Sequence, residues 1–92
     1  MPLFFLNIHN SFGVARDEEG IDVPDLDAAR EKAVEGIRSI LSEELKNGAI
    51  DLAGRVEVAD AAGRVLAEIR FEDAFRILWP PTRTSEAPGS AR

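Results

Sequence analysis

The sequence holds two groups of residues that can do chemistry, a single histidine and a dense set of carboxylates. His9 has Asn7 and Asp17 nearby in a predicted hairpin, which makes it a candidate general base. A lone histidine at the end of a strand is more often a surface or half-buried residue, and no serine here has the context of a nucleophile. We therefore expect no catalytic residue.

The carboxylates cluster just before the longest helical pattern, and oxygen atoms are the ligands that hard cations prefer. The cluster consists of Asp17, Glu18, Glu19, Asp22 and Asp25. Its spacing does not follow that of a calcium-binding loop, and Asp25 is better placed as a helix cap. Solvated turn charges are the simpler interpretation, so we expect no metal site. The glycines form neither a GxGxxG nor a phosphate-loop pattern, and we expect no cofactor.

The composition is that of a small acidic chain, with 92 residues, a formal net charge of −6 and no cysteine. The acidic balance argues against nucleic acid as the main partner, because phosphate binding needs a basic surface. The lack of cysteine excludes disulfides and cysteine-ligated metals. No apolar run reaches the length of a membrane span and no signal peptide is evident, so we expect a cytoplasmic protein without a membrane partner.

The element that must organise these residues is an amphipathic helix over about residues 25–47. Apolar residues recur with helical spacing from Leu26 to Leu45, and the opposite face is charged. Asp25 is the predicted N-cap, and Gly48 is the predicted left-handed residue after the last turn. Gly36 in the helix interior is predicted to be tolerated through tertiary packing rather than needed for a close approach. The apolar stripe predicts the core.

Strand-like segments lie on both sides of the helix. Residues 3–9 predict a central strand and residues 14–16 a short second strand. Residues 55–71 predict a hairpin with Gly63 in a left-handed bulge position. We predict an α+β fold of order ββαββ, in which a small antiparallel sheet carries one long helix on one face and residues 72–78 form a short C-terminal helical turn.

Charges in the predicted hairpin alternate in sign along the strands. Arg55, Arg64 and Arg70 are expected to pair with Glu57 and Glu68 across the strands rather than to form a basic patch.

Domain boundaries follow from the same patterns. Residues 1–78 are predicted to form a single domain. From Thr82 onward the residues have no periodicity, are small and polar and include Pro and Gly, so residues 79–92 are predicted to form a disordered C-terminal tail.

Several motifs resemble those of a family of short bacterial proteins of unknown function. They are the opening MPLFFLNI, the DEEG turn, the PD pair before the helix and the VEV and GRV segments of the hairpin, at residues 1–8, 17–20, 24–25, 56–58 and 63–65. The resemblance implies the fold and no catalytic residue. A weaker likeness to HicB-type antitoxins rests on the order strand, acidic turn, strand, Pro24-Asp25-Leu26, helix, and implies a shared architecture.

One helix covers only one face of the predicted sheet, and apolar residues remain for the other face and the C-terminal segment. We expect this surface to join two copies in a homodimer, with a C-terminal turn that folds back over its own sheet as the alternative. Its predicted members are Leu3, Phe5, Leu66, Phe75, Leu78 and Trp79.

Three functions remain open from the sequence. The first is a small non-enzymatic module for protein binding or assembly, which needs no chemistry that the chain lacks. The second is an antitoxin-like regulator that binds a protein toxin. The third is a small enzyme that uses His9 and the acidic turn.

Overall fold

The computed structural model describes residues 2–81. Most of the predicted tail, residues 82–92, lies outside the described residues. Within the described part of the chain, no helix combines the length and apolar character needed to cross a bilayer.

Across residues 2–81, the fold consists of five antiparallel strands and one α-helix. The elements are β1 Leu3–Asn10, β2 Gly13–Ala15, β3 Ile21–Asp22, α1 Leu26–Lys46, β4 Arg55–Ala59, β5 Val65–Arg70 and a 3₁₀ turn Phe71–Ala74. The strand order is β2-β1-β4-β5, and β3 pairs with β1 on the same side as β2. The predicted α+β fold of order ββαββ is confirmed, with β3 as a short addition. The second strand begins at Gly13, one residue earlier than predicted.

The helix begins and ends as its capping residues predict. Asp25 is extended, and its carboxylate accepts a hydrogen bond from the Ala28 N–H at 2.9 Å. Asn47 is the C-cap, and Gly48 follows at φ 98°. Nothing lies within 4 Å of a Cβ built at Gly36, so no close approach requires that glycine.

The core lies between α1 and one face of the sheet. The helix contributes side chains spaced four residues apart, and the sheet contributes alternate residues of β1, β4 and β5. The buried members are Phe4, Ala29, Ala33, Ile37, Leu41, Val56, Val58, Ala67, Ile69, Phe71 and Ala74.

The apolar stripe of the helix was predicted to extend to Leu45, and this end of the prediction is wrong. The Leu45 side chain is 67% exposed. The last turn of α1 faces Ile50 and Phe75, which flank a groove and leave most of Leu45 uncovered.

The hairpin between β4 and β5 has the predicted turn. Gly63 has φ 88°, its N–H donates to the Asp60 carbonyl at 2.9 Å, and the Asp60 N–H donates to the Arg64 carbonyl at 2.9 Å. The strand register shifts between Val58 and Ala59, as expected for a bulge beside a left-handed glycine.

The predicted helical turn over residues 72–78 is shorter and starts earlier, as the 3₁₀ turn Phe71–Ala74. Phe75 is already extended, with φ −156° and ψ 169°. Arg38 Nε donates to the Ala74 carbonyl oxygen at 2.6 Å. An α-helix through this segment would need that oxygen for the N–H of Leu78, so the contact with Arg38 favours the early stop.

Candidate functional site

The face of the sheet that points away from α1, called the open face, carries a linked set of charged side chains. His9 on β1 lies opposite Arg55 on β4, and Glu57 and Glu68 lie opposite one another on β4 and β5. His9 Nε2 and Glu57 Oε1 are 2.9 Å apart. Arg55 reaches Glu57 at 3.4 Å and Glu68 at 2.6 Å. Strand register thus brings together residues that are 48 positions apart in the chain.

The surroundings of His9 occupy both of its ring nitrogens. Arg55 Nη2 lies 3.5 Å from Nδ1, while Glu57 takes Nε2. These partners suit the tautomer that carries its proton on Nε2 and accepts at Nδ1. Both ring nitrogens therefore have a side-chain partner within the sheet.

The neighbours of Glu57 lower its pKa. Burial acts to raise the pKa of Glu57, but the hydrogen bond and charge offered by His9, followed by those of Arg55, outweigh burial and lower the pKa below its ordinary value. The charged carboxylate is therefore the form that the folded domain stabilises.

The arginines of the hairpin divide between predicted and unpredicted partners. The cross-strand pairing of Arg55 with Glu68 is confirmed, whereas the contact of Arg55 with Glu57 lies within β4. Arg64 instead lies 3.5 Å from Asp60, and Arg70 lies 3.9 Å from Glu72, because each is closer to the acid of its own turn.

Asp17, the first residue of the acidic cluster, organises the loop between β2 and β3. Its Oδ2 accepts the Leu6 N–H at 3.1 Å, and its Oδ1 accepts the N–H groups of Glu19 at 3.2 Å and Gly20 at 2.9 Å. The Asp17 N–H donates to the Asn7 side chain at 2.9 Å. The Asp17 carboxylate thereby provides a hydrogen-bond acceptor for a backbone N–H of β1 in the gap between β2 and β3.

These contacts bear on the candidate metal site. Asp25 of the same cluster caps the helix. In the described part of the chain, no group of three or more His, Asp and Glu side chains is arranged to hold a metal ion.

The six residues predicted as an interaction surface lie in two separate places. Leu3, Phe5 and Leu66 are on the open face, at the end of the sheet near Ala59. Phe5 is half-buried, since its ring lies against Gly20, where a Cβ would be 3.0 Å from Cε2. Leu3 and Leu66 are 44% and 38% exposed.

Phe75 belongs to the other side and the other end of the molecule. Phe75 packs against the core next to α1. Four residues earlier in the chain, the Phe71 N–H donates to the Gly54 carbonyl at 3.0 Å. Gly54 directly precedes β4 and Ala59 ends it, so the two residues are about 17 Å apart at roughly 3.4 Å per residue. The predicted surface is therefore not one continuous patch.

A groove lies beside Phe75, between the last turns of α1 and the loop that leads to β4. Its volume is about 230 Å³ and its exposed wall is apolar. The lining residues are Arg38, Leu41, Ser42, Leu45, Ile50 and Phe75. We call this feature the apolar groove. Ile50 is 38% exposed and Leu45 67%, so the upper walls of the groove are in contact with water.

The chain leaves the edge of this groove as the C-terminal arm, residues 76–81, in which every residue is exposed. The arm carries three large apolar side chains in succession. Ile77 is 58% exposed, Leu78 78% and Trp79 52%. A groove with an apolar wall and an exposed apolar segment thus lie side by side on one chain, a combination typical of an interaction site.

Comparison with known proteins gives a family and nothing more specific. A family model described as a domain of unknown function, DUF6894, matches residues 3–72, more than half of the chain. The chain belongs to the DUF6894 family. No curated protein and no solved structure matches the chain.

The DUF6894 match agrees with the predicted resemblance to a family of unknown function. It spans β1 to the 3₁₀ turn and includes Leu41, Leu45 and Ile50 of the apolar groove. It stops before Phe75, so the last wall of the groove and the whole C-terminal arm lie outside the matched DUF6894 region.

Sequence reasoning missed two residues that organise these regions. The Asp-x-x-Gly spacing of Asp17 and Gly20 is a signal for a side chain that bonds its own turn. Its contact with Leu6 across 11 residues has no sequence signal. In the sequence, Arg38 is one of several charged residues on the outer face of the helix. Its contact with Ala74 has no local signal, because the two residues are 36 positions apart.

Proposed function

We propose that this member of the DUF6894 family is a small non-enzymatic assembly module, and that the chain forms a homodimer through its apolar groove and C-terminal arm. The observation that carries the proposal is the presence, on one chain, of an apolar groove of about 230 Å³ and an adjacent arm with exposed Ile77 and Leu78. A second copy is the occupant, because the same chain supplies both the receiving and the inserting surface.

The charged residues support binding over catalysis. His9 is enclosed by Glu57 and Arg55, and the oxygens of Asp17 accept three backbone N–H groups. Through these contacts His9 stabilises the sheet and Asp17 stabilises the loop between β2 and β3. The apolar groove and arm, by contrast, have exposed apolar surface that a partner can cover.

The size of the exposed surface predicts a dimer of moderate affinity. Full burial of a large apolar side chain contributes about 1.5–3 kcal/mol. The three apolar side chains of the arm are 52–78% exposed, and two arms take part, so burial contributes on the order of 6–12 kcal/mol. Association costs about 4–15 kcal/mol in lost freedom. The two ranges overlap, so we expect a dimer that is not permanent and dissociates on dilution.

The test is a concentration series in the analytical ultracentrifuge with two Leu→Asp variants. Leu78→Asp places a charge on the arm and is expected to give a monomer with the thermal stability of the parent. Leu66→Asp is the matched control, because it makes the same change at an exposed leucine on the open face.

Leu66→Asp is expected to leave the dimer intact. Dissociation by Leu66→Asp with no effect of Leu78→Asp would assign the interface to the open face and overturn the proposal. A parent that is monomeric throughout the series would overturn it as well.

The antitoxin-like hypothesis is not favoured by a specific observation. The order of strand, turn, strand and helix that suggested it is present, but a shared order of elements supports an architecture and not a role. Co-purification of the chain with a basic protein partner would bring this hypothesis forward.

A further inference from the structure

We infer that the two copies exchange their C-terminal arms, so that the arm of each chain lies in the apolar groove of the other. This inference rests on the proposed homodimer and specifies its geometry. A dimer that pairs the two grooves face to face, or that pairs two arms, is the competing arrangement within the same proposed function.

The arm does not fill the groove of its own chain. Phe75 forms one wall of the groove and is extended, and the chain continues outward from it. Leu78, three residues later, is 78% exposed. Leu45 and Ile50 on the opposite walls also keep much of their surface in water, at 67% and 38%.

Two contacts fix the point at which the arm leaves the domain. The Phe71 N–H donates to the Gly54 carbonyl at 3.0 Å, and Arg38 holds the Ala74 carbonyl at 2.6 Å. The arm therefore begins at the rim of the groove. A two-fold axis close to Phe75 places the partner's groove next to this starting point, and the four steps from Phe75 to Trp79 reach about 13 Å.

The two prolines at the end of the arm restrict its conformation. Trp79 precedes Pro80, and Pro80 precedes Pro81, so both residues are restricted to extended conformations. An extended end of this kind suits insertion into a neighbouring molecule.

The groove has the capacity for part of the arm. An engineered apolar cavity of about 150 Å³ accepts a benzene molecule. The groove, at about 230 Å³, therefore has room for one large apolar side chain and part of a second. Leu78 is the first choice, because it is the most exposed of the three apolar residues in the arm.

The test mixes two variants that are each defective in one half of the contact. Leu78→Asp damages the arm and keeps the groove. Leu45→Glu damages the groove and keeps the arm, at an exposed helix position where glutamate is a good helix former. Each variant alone is expected to be monomeric. Their equimolar mixture retains one intact arm–groove contact and is expected to associate about tenfold more tightly than either variant alone.

Chemical cross-linking gives a readout that introduces no charge into the interface. The chain contains no cysteine, so single thiols can be placed freely. Ser42→Cys marks the groove and Leu78→Cys marks the arm, in two separate chains of which one is isotope-labelled. A short bismaleimide is expected to join residue 42 of one chain to residue 78 of the other more readily than two like positions.

The outcomes separate the two levels of the proposal. A parent dimer whose variants show no recovery on mixing, or whose links join only like positions, overturns arm exchange and leaves the homodimer standing. A monomeric parent overturns both. A link between positions 42 and 78 within one monomeric chain that carries both cysteines shows that the arm closes over its own groove and overturns arm exchange.

Discussion

Adding a single methyl group at Gly54 is predicted to destabilise the domain by about 1–3 kcal/mol, the usual cost of overpacking a well-filled site. A Cβ at Gly54 would lie 2.6 and 2.7 Å from two ring carbons of Phe71 and 2.9 Å from the His9 carbonyl oxygen. Phe71 is 1% exposed, so its ring can move only by displacing the atoms that pack around it. The His9 oxygen belongs to the backbone of β1, so it cannot move without the strand.

The backbone at Gly54 cannot shift freely either, because its carbonyl accepts the Phe71 N–H at 3.0 Å. Relief of the clash therefore requires that this bond, the ring or the strand be displaced. We expect Gly54→Ala to lower the midpoint of urea unfolding with little change in slope, which reports a loss of stability within a two-state transition.

Gly36→Ala is the matched control, since it makes the same chemical change in open space. Nothing lies within 4 Å of a Cβ there, and the residue is in the interior of α1. Alanine is expected to stabilise the domain by about 0.5–1 kcal/mol, the difference between the two residues in a helix. If Gly54→Ala unfolds at the same urea concentration as the parent, the packing described around Phe71 is wrong.

Three further changes test the core, the charged cluster and the hairpin. Ile37→Ala is expected to cost about 2–5 kcal/mol because the side chain is fully buried; an unchanged denaturation midpoint would remove it from the core. Glu57→Gln is expected to lower stability at neutral pH and to converge with the parent as the pH falls below about 4.3, because a lowered folded-state pKa stabilises only while the carboxylate is charged. Unfolding curves of both proteins across this range check the sign, and a gap that widens in acid would contradict it. Gly63→Val is expected to lower the melting temperature because Gly63 has φ 88°, which a β-branched residue disfavours.

The helix and hairpin could be predicted from the sequence because their signals are local. Asp25 and Gly48 mark the ends of α1, and the Asp60 to Gly63 spacing marks the turn. The helical period does not show how far along α1 the sheet provides packing partners. It therefore predicts that Leu45 is in the core, whereas the buried side chains of the helix end at Leu41. Periodicity describes one element, while burial depends on what lies opposite it.

The open face and the groove could not be predicted because they depend on strand register and on one long-range contact. His9 meets Glu57 only when β1 and β4 are aligned. The helical pattern of Phe71, Phe75 and Leu78 suggested a continuing turn, but Arg38 binds the carbonyl that the turn would use. As a result Phe75 lines the groove on the helix side, and Leu78 is directed into solvent.

The mass of the unmodified chain in solution tests the central claim most directly. Light scattering on the full chain is predicted to give a mass that approaches twice the chain mass of 10.0 kDa at high concentration and falls toward the single-chain mass on dilution. A mass that stays at 10.0 kDa up to the highest attainable concentration would contradict the proposed homodimer.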